Sequence, residues 1–323
     1  MRFPKIFLLG TGLLFLSILV LSLGKKKKQG NFENVTKLHR PLIEISLPED
    51  RSSSACRETE ENLLIENDLP EANLVDRLFK TDNSKLPIVE TITYTSQVPW
   101  LVGRCAWIAD YASYYETSRY FIARSLQQQD CYSWHGVAPG DQFNVLSLKK
   151  AIEFHLILDL SRSRIWFYYL DLEKNARTLL KTYQAGIRPT AQQERAECLI
   201  EPGIYRVGEE VAVYQPGIMG YALEEKVEMV RVFGTRRLPC KPVEQRGEQA
   251  GHAFAIQGLP QLEGSQRDCG EDANMLAKGR SGKAVQMARQ DIEELFAIVI
   301  TKPTFVHVVS DFYEAKLPGT EDL

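Results

Sequence analysis

The sequence predicts a mainly β fold with one docked helix, preceded by a small α+β subdomain and an N-terminal membrane anchor. Three observations carry that expectation. From Phe154 onward, short β-type runs follow one another, separated by polar turns. One helical period interrupts them, in RQDIEELFAIV, where Ile292, Leu295, Phe296 and Val299 recur at i, i+3, i+4 and i+7. The chain opens on 19 uncharged residues, Ile6 to Gly24.

That opening run follows Arg2 and Lys5 and precedes Lys25 to Lys28. Its length suits a helix crossing a hydrocarbon core of about 30 Å. No small-x-small cleavage site closes it, so an uncleaved single-pass anchor (1–28) is expected rather than a removable signal peptide. Four lysines after the span against two basic residues before it favour a cytoplasmic body by the positive-inside rule. Residues 29–67, with QGN and SLPEDRSSSACRETEEN, show little apolar periodicity and read as a linker.

Residues 68–150 read as the small subdomain. Asp68 and Pro70 open DLPEANLVDRLF, predicted as a short helix, and KLPIVETITYTS alternates like a strand. In CAWIADYASYYETSRYFIARSL, Ile108, Tyr111, Tyr115 and Ile122 recur at helical spacing, so the tyrosines read as a packing face. The main domain, 151–312, begins with FHLILDL, RIWFYYL and TLLKTYQAG, a predicted antiparallel meander. EPGIYRVG, VEMVRVFG, HAFAIQG and TFVHVV continue the strand-rich texture, and 313–323 is a tail.

At 323 residues with 44% hydrophobic and 25% charged side chains, the chain can bury about two domains' worth of core and is neither disordered nor a multi-span membrane protein. Six of its 39 basic residues precede residue 29, leaving 33 against 42 acidic ones, a poor footprint for nucleic acid. Cys56, Cys105, Cys131, Cys198, Cys240 and Cys269 are spread without a CxxC. His39, His135, His155, His252 and His307 show no ligand spacing, so no metal and no cofactor is expected. Phosphate-cradling loops and GxSxG elbows are absent.

Residues 154–309 resemble, in ordered cues, the catalytic domain of the L,D-transpeptidases, the YkuD family of bacterial cell-wall cross-linking enzymes. The cues are HLILDLSRSRIWFYYL, KTYQAGI, LIEPGIYRVG, VFGTRRLP and SGKAVQMARQDIEELFAIVITKPTFVHVV. The resemblance implies a β-sandwich of mixed sheets with one docked helix, acyl transfer through a Cys thioester, and a body on the extracytoplasmic side of the cytoplasmic membrane. That last implication opposes the lysine count.

The family's active signature is damaged in this chain. Active members carry a strand ending in His-Gly and a later loop reading Ser-x-Gly-Cys, an apolar residue, then Arg or Asn. FAIQG places Gln257 at the histidine position and retains Gly258. SGKAVQM retains Ser281, but Lys283 replaces the Gly, Ala284 the nucleophilic Cys and Gln286 the Arg or Asn. Acyl transfer through the enzyme needs a covalent nucleophile, which alanine lacks. A thiol needs a base to ionise it near neutral pH, and an amide does not titrate there. Lys in place of Gly crowds a tight turn, and Gln in place of Arg loses charge-assisted recognition of a carboxylate.

The expectation is therefore a membrane-anchored pseudoenzyme of the bacterial envelope. Gln257, Gly258, Ser281, Lys283 and Gln286 would line its binding site, and its partner would be peptidoglycan stem peptide or an active cell-wall enzyme. An active L,D-transpeptidase using Cys269 as an atypical nucleophile, and a purely structural envelope protein with a filled cleft, are the alternatives. His252, five residues before Gln257, would point to the opposite face of a regular strand, which disfavours a relocated catalytic pair.

Overall fold

The computed structural model of the chain describes residues 69–127, 137–187, 200–222, 225–243, 252–261 and 284–321. The expected anchor at 6–24, the linker, Ser281, Lys283 and Cys269 lie outside the described residues. Among those residues no helix is long and apolar enough to cross a membrane.

The predicted meander is present as β3 (Ile152–Asp159), β4 (Arg164–Asp171) and β5 (Ala176–Gly186), paired antiparallel in sequence order. Asp159 closes the first turn because its carboxylate Oδ1 accepts from Ser161 N at 2.8 Å and Arg162 N at 3.0 Å, which lets Ser163 take a φ of 52°. Beyond β3 the sheet continues through β13 (Thr304–Val309), parallel to β3, then antiparallel β6 (Gly203–Val207) and β10 (Arg236–Pro242). Next comes β11 (Phe254–Gly258), antiparallel to β10 and parallel to β12 (Ala284–Met287), which returns to β5. The expected two-sheet sandwich is thus a single mixed sheet closed on itself. Because β11 hydrogen-bonds both β10 and β12, no open edge separates two layers there. Short β7 (Ala212–Val213) extends β10, and β14 (Thr320–Glu321) pairs with the start of β5.

Alternate residues of these strands, among them Phe154, Leu156, Phe167, Leu238, Ile256 and Val285, share one core with the expected helix, α5 (Arg289–Val299). That core also takes Val75, Leu78, Phe121 and Leu146 from the N-terminal residues, and the described residues belong to one compact unit.

Several local expectations change. The helix expected from Asp68 is only the turn α1 (Asp76–Phe79), because the chain before it runs extended along β5, where Leu74 N donates to Leu180 O at 2.6 Å. The long tyrosine-rich helix is two, α2 (Ile108–Tyr114) and α3 (Arg119–Gln127). Glu116 breaks it at φ 46°, and Ser118 Oγ accepts from Tyr120 N at 3.1 Å to start the second. The predicted strand VEMVRVFG splits into β9 (Glu225–Glu228), which forms a separate hairpin with β8 (Met219–Ala222), and a short helix α4 (Val230–Phe233). KLPIVETITYTS yields the expected strand, β1 (Val89–Thr93), paired with β2 (Gln142–Leu146).

Helix α5 is buried on nearly every side, Glu293 and Glu294 included. Glu294 is tolerated there because Lys181 Nζ lies 2.7 Å away, the Tyr183 hydroxyl donates to it at 2.9 Å, and Arg124 approaches to 3.5 Å. Burial first, and then the Glu294 charge, push the Tyr183 phenol well above its ordinary value, so it remains a donor. Removing one member of such a cluster strands the others, so Glu294→Ala is expected to cost about 3 kcal/mol in urea unfolding.

Candidate functional site

Strand alternation decides which side chains meet. Phe254, Ile256, Val285 and Met287 enter the core, so Gln257 and Gln286 project from the opposite face of β11 and β12. The parallel register sets Gln257 directly beside Gln286 and Ala255 beside Ala284. The aligned base position and the aligned nucleophile position therefore lie on neighbouring strands and one face, two residues apart along the strand direction. Next in the same row, on the other side of Gln257, stands Arg237 of β10, and beyond Gln286 comes Gly186 of β5.

This face is covered. Gln257, Ala284 and Gln286 are only 4%, 5% and 3% exposed. Helix α4 lies over the row, with Gln257 Nε2 donating to Val232 O at 3.5 Å and Gln261 N to Val230 O at 3.1 Å. The chain leaves α4 through Gly234 at φ 66°, where a Cβ would fall 2.5 Å from the carbonyl carbon of Gly258. Only glycine permits both that conformation and that approach. The retained Gly258 is thus part of the closure.

Polar atoms beneath α4 are incompletely satisfied. Among the described residues, the buried atoms Gln286 Oε1, Thr235 Oγ1 and Arg237 Nε have no hydrogen-bond partner, and the Arg237 guanidinium carbon lies 5.7 Å from the centre of the Phe233 ring. Arg237 and Thr235 are site residues that the sequence reading missed. The signal was present in TRRLP: two consecutive arginines on a strand must face opposite sides. Arg236 takes the other side, between the rings of Tyr120 and Phe296.

The row holds a guanidinium and two amides. Such groups bind carbonyls, carboxylates and N–H donors, and none of them forms an acyl intermediate. Among the described residues no thiol replaces the missing one. Cys240 is enclosed in the core, where burial pushes its thiol up to about 12, and Cys105 belongs to the segment before α2. His252 is exposed, 3.4 Å from Glu201.

The other buried imidazoles sit elsewhere on the barrel. His155 of β3 and His307 of β13 share a hydrogen bond of 3.0 Å between Nδ1 and Nε2, both nearly inaccessible to solvent. Burial lowers both to about 4; for His155 the neighbouring His307 and Arg177 add to it.

No family model matches the chain, and no curated protein matches it. Solved structures that resemble part of it include Bd1075 of Bdellovibrio bacteriovorus, at 14% identity and a TM-score of 0.33, over 49% of this chain and 48% of that one. The helical cell shape determining protein Pgp2 of Campylobacter jejuni is another, at 12% identity and a TM-score of 0.34, over 52% and 50%. The chain spans about half the length of each, and similarity of that degree assigns neither fold nor activity.

Proposed function

We propose that this chain is a membrane-anchored protein of the bacterial cell envelope, with its body on the extracytoplasmic side, built on an L,D-transpeptidase-like barrel and unable to transpeptidate. It binds peptidoglycan stem peptide or an active cell-wall enzyme. The observation that carries this reading is the row Arg237–Gln257–Gln286, in which both glutamines are buried and, among the described residues, Arg237 Nε and Gln286 Oε1 have no hydrogen-bond partner. An unpaired buried polar atom costs about 1–3 kcal/mol, a cost that a bound peptide, supplying N–H donors and carboxylate acceptors, would remove.

Titration calorimetry with purified tetrapeptide-bearing muropeptides tests it. Binding is expected for the wild type. Arg237→Ala is expected to weaken it about tenfold, the loss of roughly 1.4 kcal/mol from one charge-assisted hydrogen bond. Equal affinity in both proteins would sink the assignment of Arg237. A second reading, a purely structural protein with a filled cleft, is favoured by the near-complete burial of Gln257, Ala284 and Gln286. It is the outcome if neither protein binds. A reporter phosphatase fused after residue 323 tests location, and activity of a cytoplasm-specific reporter alone at that fusion would reverse it.

A further inference from the structure

Away from that row, the N-terminal residues of the described body carry a surface that neither the barrel nor its row of amides uses. Tyr94, Tyr111 and Phe143 pack inward as a small core with Trp100 and Tyr115 against it, yet Trp107 remains 70% exposed and Tyr114 46%. Both stand at the ends of α2, Trp107 at its N-cap and Tyr114 at its last residue. Seven residues of helical rise set their backbones about 10 Å apart, roughly one disaccharide of an extended polysaccharide.

The surface between the rings is polar and neutral. Arg104 grips Asp110 with a two-pronged ion pair at 2.5 and 2.7 Å and lies 5.8 Å from the centre of the Trp107 ring. Asp110 also accepts from Trp107 N at 2.8 Å, which holds the start of the helix. Tyr114, four residues on from Asp110, stacks on Trp100 with centroids 4.5 Å apart and planes 11° from parallel. Arg104 and Asp110 are the only charged residues from Tyr94 to Tyr115, and they cancel.

We propose that Trp107, Arg104, Asp110 and Tyr114 form a platform that binds a glycan strand. Aromatic faces carry negative charge and attract the C–H groups on the faces of pyranose rings. The fork between them still has uncommitted N–H groups to meet sugar hydroxyls. Charge selects among occupants: a patch with no net charge offers nothing to nucleic acid phosphates or anionic lipid headgroups, and it matches an uncharged polar chain. Identifying that strand as the glycan of the cell wall rests on the proposed function above. The platform would hold the protein on the polymer while the barrel face meets its peptides.

The test uses the full chain in detergent and two probes. One is chitin, an insoluble and uncharged N-acetylglucosamine polymer, which carries neither stem peptide nor carboxylate for Arg237. The other is a soluble N-acetylglucosamine oligomer, followed by tryptophan fluorescence. The wild type is expected to co-sediment with chitin and to show a saturable fluorescence change with the soluble oligomer. Trp107→Ala with Tyr114→Ala is expected to weaken both about tenfold, whereas Trp107→Phe retains most of the binding. Arg237→Ala should bind both probes like the wild type, so the two sites fail separately. Both aromatic positions are exposed, and an unchanged melting temperature would show that the double variant folds. Should it unfold, Arg104→Ala, weakening the fork alone, replaces it in the comparison. No wild-type binding to either probe overturns the proposal. So does undiminished binding by the folded variant, and so does a platform that captures a protein but no glycan.

Discussion

Gln257→His, Ala284→Cys and Lys283→Gly together are expected to convert a chain that a carbapenem leaves at its native mass into one that gains a single acyl adduct, mapped to the introduced thiol. The register supports the pairing of these positions. Residues 257 and 284 lie on adjacent parallel strands, project from the same face and are two residues apart along the strand direction. Ala284→Cys alone should give little, because an unassisted thiol ionises near pH 8.5 and burial, here with only 5% exposure, raises it further. An imidazole from residue 257 would take the proton and stabilise the thiolate. The changes should therefore be strongly non-additive, as for groups acting as one unit. Helix α4 contacts residue 257 and residue 284 is only 5% exposed, so acylation is expected to be slow. An adduct on wild-type Cys269 would establish the active-enzyme alternative instead. A folded triple variant that never acylates would count against the family alignment of the SGKAVQM loop.

Acid should destabilise the protein through His155 and His307. Each imidazole is lowered to about 4 in the fold, against roughly 6.5 in an unfolded chain. Between those values the unfolded state binds more protons, so stability rises with pH across the window. The contribution is fully present above about pH 6.5 and is lost as pH falls toward 4, on the order of 5 kcal/mol for the pair. Burial is the main cause for both imidazoles; for His155 the neighbouring His307 at 3.0 Å and Arg177 add to it, with Glu153 3.7 Å away as a countercharge. Urea unfolding followed from pH 8 to pH 4 should show this slope, and His155→Gln with His307→Gln should flatten it. A wild-type slope matching that of the double variant would refute the assignment.

The mainly β texture, the meander from Phe154 and helix α5 were legible because each rests on local alternation or helical period. The amide at 257 and the alanine at 284 were legible because residue identity needs no coordinates. Other features were hidden by distance along the chain. Period-2 alternation says that a residue faces one side of a strand but not which strand lies beside it. Pairing of β11 with both β10 and β12 closed the expected sandwich into a continuous sheet. The same pairing brought Arg237 to Gln257 and Gln286, residues 20 and 49 positions beyond it. Glu293 and Glu294 look like the solvent edge of an amphipathic helix, yet both are buried, Glu294 because Lys181, Tyr183 and Arg124 arrive from other elements to neutralise it. His155 and His307, scattered in the sequence, became partners only because β3 and β13 run in parallel. The sequence by itself determined which residue types stand at 257 and 284 and which segments fold as strands. Only tertiary structure decided which polar groups stand beside them, because burial and long-range strand pairing set the surroundings of each charge.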